Sequence, residues 1–307
     1  MVRIKKVFVC LFLVLVVLFG FSMATVVLAE EEKPAAAAVE EEAKPTLSAS
    51  YTFYSQYIWR GYELSKDSLV MFPTITISYK GFGLNVWGDY DTHYEGTNHK
   101  EWWETDFVFT YSNSLGNLPR VGNMWDKFKN INYTLGYIYY DTNADNYTYV
   151  TNIVRGRALK TKVFHPGTGD NEEIYLILGY SCFGNPSISG WRQIEDGEEW
   201  YVNFALSQNF PFPIKCPWSQ GWSIDVGTWI SWMHRSANYE KTHYSAMHDG
   251  NVWMALNIPL NKYFTLSPTI NYSAPLSNNA KQEIEAASFS GEASRFLYGG
   301  LIFKLAF

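Results

Sequence analysis

Asp89 and Asp91 stand two residues apart, as do Glu104 and Asp106, and in an extended chain that spacing puts both members of each pair on one side. Four carboxylates gathered this way repel one another and need a partner or a cation, for which Arg60 is the nearest candidate. Opposed across water, such groups make a field that sorts solutes by charge. Packed dry, the same groups are a structural ion-pair network. Other chemistry is thinner. Ser231 and His234 could form a nucleophile and base, but their odd spacing puts them on opposite faces of a strand, and no nucleophile-elbow motif accompanies them. No catalytic residue is assigned. The six histidines, His93, His99, His165, His234, His243 and His248, fall in or beside expected loops with no metal-ligand spacing, so neither a metal nor any cofactor is expected.

Composition bounds the elements that must hold these groups. In 307 residues, 18% aromatic and 18% charged content excludes disordered and collagen-like chains. Net charge is −6, or −9 without the first 29 residues (21 basic against 30 acidic), which argues against a nucleic-acid partner. Three cysteines exclude a disulfide-dense scaffold. Arg3, Lys5 and Lys6 precede an apolar run from Val7 to Phe21, and Val27-Leu28-Ala29 supplies small or modest residues where a signal peptidase cuts. Residues 1–29 thus read as a cleaved signal peptide rather than an anchor, with no lipidation context at Cys10. Residues 30–46, rich in Glu, Ala and Pro, read as an acidic disordered periplasmic linker.

From residue 47 onward the period is two. Phe82, Leu84 and Val86 alternate with Gly83, Asn85 and Trp87; Ile131, Tyr133, Leu135 and Tyr137 alternate with Asn132, Thr134 and Gly136. A soluble sandwich alternates too, so three further features decide. The apolar face is unusually aromatic, with rings crowding the segment ends. The leader exports the chain. The last segment carries Leu301, Phe303, Leu305 and a terminal Phe307 on one face, an ending that resembles the signal read by outer-membrane assembly machinery. Residues 47–307 are therefore predicted to be an all-β, up-and-down, antiparallel transmembrane barrel of about twelve strands. Eleven segments are evident, at 47–58, 69–79, 82–92, 103–112, 130–140, 173–182, 199–209, 222–233, 250–258, 263–273 and 295–307. Bacterial barrels take an even number, and turn lengths leave Pro186 to Ile194 for the twelfth. Residues 141–171 and 274–293 read as long external loops, and the connection 113–129 is unexpectedly long for the other side.

Gln56-Tyr57-Ile58-Trp59-Arg60-Gly61, placed at the end of the first strand, and Gly81-Phe82-Gly83-Leu84-Asn85-Val86-Trp87-Gly88 in the third resemble the TorF-type porin family. Phe164-His165-Pro166-Gly167 followed by Glu172-Glu173 is similar to that family's aromatic-Pro-Gly segment, with an extra histidine. The resemblance covers roughly residues 47–307 and implies a barrel and a pore, without a named solute.

The polar side then lines a lumen. Arg60, Asp89, Asp91, Glu104, Asp106 and Asp225 are the charged candidates for a constriction. Trp87 and Trp229 point inward with Trp191 and Trp253, either narrowing the passage or stacking ring-bearing solutes. Cys182 and Cys216 fall at the periplasmic rim, where a disulfide is feasible. The expected function is passive diffusion of small hydrophilic solutes across the cell outer membrane. The alternatives are a non-conducting structural or loop-mediated interaction barrel and, further off, a lipid hydrolase. Expected partners are outer-membrane lipids, the assembly machinery and periplasmic chaperones during biogenesis, and small solutes; the barrel is expected to be a monomer.

Overall fold

The computed structural model describes residues 44–66, 68–94, 99–118, 128–142, 147–154, 157–164, 171–194, 199–214, 216, 219–236, 243–288, 291 and 293–307. The expected leader, most of the expected linker and His165 lie outside them. In chain order the strands are β1 (Thr46–Tyr54), β2 (Ile58–Trp59), β3 (Tyr62–Glu63), β4 (Val70–Tyr79), β5 (Phe82–Tyr94), β6 (His99–Ser114), β7 (Ile131–Thr142), β8 (Tyr147–Val154), β9 (Arg157–Phe164), β10 (Asn171–Tyr180), β11 (Ser187–Gln193), β12 (Glu199–Pro211), β13 (Ser223–Arg235), β14 (Tyr244–Pro259), β15 (Phe264–Pro275) and β16 (Phe296–Ala306). One α-helix among the described residues, α1 (Asn278–Ala287), precedes β16.

Twelve of these strands close into one antiparallel barrel in the order β1, β4, β5, β6, β7, β10, β11, β12, β13, β14, β15, β16 and back to β1. The expected fold class is found, including its weakest strand: β11 pairs with β10 on one side and β12 on the other. Period two decides which face is which. Ile75, Ile77, Ile174, Leu176, Leu178, Leu297, Leu301 and Phe303 are exposed on the outer face, whereas Ser189, Asn251, Ser267 and Ser273 are buried inside. Aliphatic side chains outside and polar ones within invert a water-soluble sandwich and suit a wall immersed in hydrocarbon.

Closure depends on β1 meeting β16, from Ser48↔Ala306 to Tyr54↔Gly300. A side chain at Gly300 would put its Cβ 1.8 Å from the Phe53 carbonyl oxygen, so glycine alone fits that approach. Phe303 packs edge-on against Phe53 at 5.8 Å, and the Phe307 amide donates to Leu47 O at 2.9 Å. Both chain ends of the barrel therefore lie together, at what is here the terminal end. The two-residue turn Lys80–Gly81 (φ 48° and 88°) reverses the chain at the same end.

The opposite end departs from the sequence expectation. The first strand was expected to reach residue 58, but the chain leaves the wall after Tyr54, its last ladder bond being Ser55 N to Gly299 O, and residues 56–66 and 68 fold into the barrel. There β2 and β3 pair around Arg60–Gly61, whose φ angles are 46° and 82°. Local alternation runs through this segment and so hides the tight turn that interrupts it. The long connection 274–293 contains α1, capped by Ser277 Oγ accepting from the Ala280 amide at 3.1 Å. Its Ala280 and Ile284, four apart on one face, are fully buried. Gly61 is held between Asp249 and Ile284, each within 3.0 Å of where a Cβ would stand. The 141–171 connection carries the β8–β9 ribbon, and 113–129 begins with a 3-10 turn at Leu115–Asn117.

Tyr62, Tyr201, Met233, Tyr244, Ile284, Phe296 and Tyr298 form a buried cluster inside this end of the barrel. Full burial of a side chain such as Ile284 contributes about 1.5–3 kcal/mol. Inward groups nearer the terminal end, among them Ser112, Asn132, Ser207 and Asn209, are exposed. The lumen is thus filled by the chain at one end and open to water at the other. Gly300→Val is expected to lose about 3 kcal/mol or more and to abolish the heat-modifiable folded band on a cold detergent gel. Gly179→Ala, whose nearest neighbour would be Ser187 Cβ at 4.0 Å, is expected to leave that band intact.

Candidate functional site

In the ring of twelve, β11 stands half-way round from β1. Residues 56–66, which lead inward from β1, span that distance, and Arg60 at the tip reaches the far wall. Its Nη1 and Nη2 donate to Glu173 Oε1 and Oε2 of β10 at 2.8 and 2.7 Å, and Nη1 also lies 3.4 Å from Glu199 Oε1 of β12. Its guanidinium carbon is 4.4 Å from the Trp59 ring centre, 4.6 Å from Tyr201 and 5.8 Å from Trp191. The Arg60 and Glu173 side chains are only 7% and 2% exposed, so the pair is shielded from screening. Burial opposes the Arg60 charge, but Glu173, Tyr140 and Glu199 together outweigh it and raise the pKa above the ordinary guanidinium value. We call this inserted segment the crossbar.

Four further ties hold it. Tyr57 OH donates to Glu104 Oε2 at 3.2 Å, and Ser68 Oγ donates to Asp91. Arg235 Nη2 donates to Tyr62 OH at 3.3 Å while its Nε binds Glu199 at 3.1 Å and its Nη1 binds Glu283 of α1 at 3.0 Å. Glu199 therefore links two arginines, and Arg235 links wall, crossbar and helix. The fourth tie runs through the backbone: His248 Nε2 donates to the Arg60 carbonyl at 2.9 Å. That leaves Nδ1 to accept from Tyr244 OH at 2.7 Å.

His248 and its neighbour Asp249 are both fully buried because the β13–β14 register shifts between Ile230 and Trp232. A bulge breaks the alternation and turns two consecutive side chains inward. Asp249 accepts from Tyr201 OH at 2.9 Å, from Ser231 Oγ and from Trp229 Nε1 at 3.2 Å, making a fixed seat beneath Gly61.

The charged residues expected at a constriction are redistributed. Arg60 does not oppose Asp89, Asp91, Glu104 and Asp106; it reaches past them to Glu173 and Glu199, where two carboxylates and aromatic faces converge. Asp89 stands opposite Glu104 across β5 and β6, and Asp89 is 2% exposed. Asp89 Oδ1 and Asp106 Oδ1 are buried without a hydrogen-bond partner, and no group of three such residues among those described could hold a metal ion. Trp87 is stacked on Phe72 at 5.0 Å and covered by Tyr57 at 5.8 Å, so it packs the crossbar's foot rather than lining an open passage. Asp225 lies towards the terminal end, accepting from Asn209 and Asn257 at 2.5 and 2.6 Å.

Ser231 and His234 do fall on opposite faces: Ser231 is buried inside, and His234 stacks outside on Trp232 at 5.6 Å. The expectation that all six histidines sit in loop surroundings fails for His248, by the bulge. Cys182 and Cys216 are free thiols. Each sulfur instead points to a local acceptor, Phe183 O at 3.4 Å and Ser219 Oγ at 3.0 Å. Glu173, Glu199, Arg235, His248 and Asp249 are not among the site candidates read from the sequence, although Glu173 and His248 are noticed there for other reasons. Extending inward parity to the strand ends would have found Glu173, Glu199 and Arg235.

No family model and no curated protein matches the chain. Among solved structures, it is similar to an outer membrane channel from Pseudomonas putida F1, at 10% identity over 90% of this chain and 100% of that one, with a TM-score of 0.45. OprB of Pseudomonas putida, in a high pH structure, matches at 9% identity over 87% and 94% of the two chains, with a TM-score of 0.36. The beta domain of the Bordetella autotransporter BrkA matches at 10% identity over 87% and 100%, with a TM-score of 0.41. Likeness at this level assigns no function, and the barrel stands on its own hydrogen-bonded ladder.

Arg60→Ala would leave Glu173 buried without its cation, an expected loss of about 3–5 kcal/mol in urea-induced unfolding from lipid vesicles. Glu283→Ala, whose partner keeps Glu199 and whose carboxylate is 26% exposed, is expected to cost about 1 kcal/mol or less.

Proposed function

We propose that this chain is an outer-membrane channel for small hydrophilic solutes whose resting lumen is closed by the crossbar. The observation that carries the reading is the division of the lumen: a polar half open to water at the terminal end, and a half spanned by residues 56–66 at the other. The terminal end is taken as periplasmic, following the expected export leader, which puts the crossbar and α1 at the external mouth. The aromatic final strand serves as the assembly signal, through Leu301, Phe303, Leu305 and Phe307. In this reading no bond is made or broken; solutes cross only after the crossbar moves, and the barrel acts as a monomer in its lipid. The likeness of the 56–61 and 81–88 segments to TorF-type porins supports the same class.

A second reading has its own support. The apolar cluster around Tyr62, Met233 and Ile284 is packed like a protein core, as a permanently closed structural barrel would require. Planar-bilayer recording separates the two. The full chain is expected to be silent or to open briefly, and deletion of residues 57–66 is expected to give ohmic steps. A deletion variant that folds yet conducts nothing would replace the channel with the structural barrel.

A further inference from the structure

The wall half of the Arg60 site is complete without the crossbar. Glu173 and Glu199 present carboxylates from β10 and β12, and Tyr140 OH donates to Glu173 Oε2 at 2.9 Å and so orients it. Tyr201 and Trp191 supply the ring faces on the same wall. A planar cation held end-on by one carboxylate and flanked by aromatic faces is how proteins recognise a guanidinium group. In this structure a guanidinium does occupy the place, and it arrives on a tether from the opposite wall. The tether's turn puts Arg60 in the left-handed region, at φ 46°, as its two-residue reversal with Gly61 requires, and so points the side chain at the far wall.

We infer that Glu173, Glu199, Tyr140, Tyr201 and Trp191 form a binding site for small solutes bearing a guanidinium group, and that Arg60 is a built-in competitor for it. A free guanidinium compound entering the external mouth exchanges with the Arg60 side chain, keeping both carboxylates paired. The crossbar then loses the ion pairs that Arg60 makes to Glu173 and Glu199 on the far wall, which loosens its tip. Anionic and neutral solutes gain nothing from the exchange, because they cannot replace the cation that Glu173 requires. The step from binding to passage rests on the channel reading above; the binding does not.

Isothermal titration of methylguanidinium into the full, detergent-folded chain tests the site. Arg60→Ala empties it, and Arg60→Asn does so with a residue that tolerates a positive φ. Both variants are expected to bind methylguanidinium at least about tenfold more tightly than the unmodified chain, since a tethered group competes at high effective concentration. Adding Glu173→Gln is expected to weaken that binding again by about tenfold or more, and urea is expected not to bind. In the unmodified chain, methylguanidinium but not urea at equal concentration is expected to speed amide exchange at residues 58–63. Folded variants that take up no methylguanidinium, or exchange that responds equally to urea, would overturn the site. Binding together with silent bilayers would keep the site and remove the channel; conduction without binding would do the reverse.

Discussion

A closed barrel in hydrocarbon turns every second side chain inward, and each inward polar group must be satisfied by water or by the chain itself. One ion pair decides which of these happens here. By carrying its cation across the barrel to Glu173, Arg60 lets residues 56–66 occupy half of the lumen. Without that cation, a carboxylate that is 2% exposed would be stranded in the wall. The crossbar and the wall therefore depend on each other: the wall needs a positive charge at that point, and the segment needs a fixed end.

The surrounding features follow from this need. Glu199 joins the Arg60 pair to Arg235, and Arg235 carries the link on to α1 through Glu283. The β13–β14 bulge turns His248 and Asp249 inward together, one to hold the Arg60 carbonyl and the other to seat Gly61. Polar ties dominate at the tip and aromatic packing at the foot, where Phe72 stacks on Trp87 and Tyr57 meets Phe72 edge-on. In the proposed channel, exchange of the charge at the tip would let the segment pivot about the rings at its foot.

Much of the fold is legible in the alternation. The β16 face ending at Phe307 and the tight turns at Lys80–Gly81 and Gly184–Asn185 are local signals, and the even-number requirement locates β11 despite its weak pattern. The site is far less legible, for physical reasons. Residues 55–59 continue a strand-like alternation, so nothing local says that the chain leaves the wall at Tyr54. Arg60 looks like the natural partner of the neighbouring Asp89 and Glu104, yet its partner is 113 positions away in sequence, fixed by ring closure rather than by proximity along the chain. The bulge that buries His248 shifts parity by one residue, which period-two reading cannot see.

Residues 56–66 lie inside the barrel, against α1 and the far wall. Disulfide trapping in intact outer membranes addresses this placement directly, with Glu63 and Ser288 replaced by cysteine and Cys182 and Cys216 by serine. The Glu63 amide lies 3.2 Å from Ser288 Oγ, so oxidant is expected to join the two cysteines rapidly, leaving them unreactive to external maleimide. Two cysteines that stay unjoined and label freely from outside would mean that the crossbar does not enter the lumen, and the account would fail.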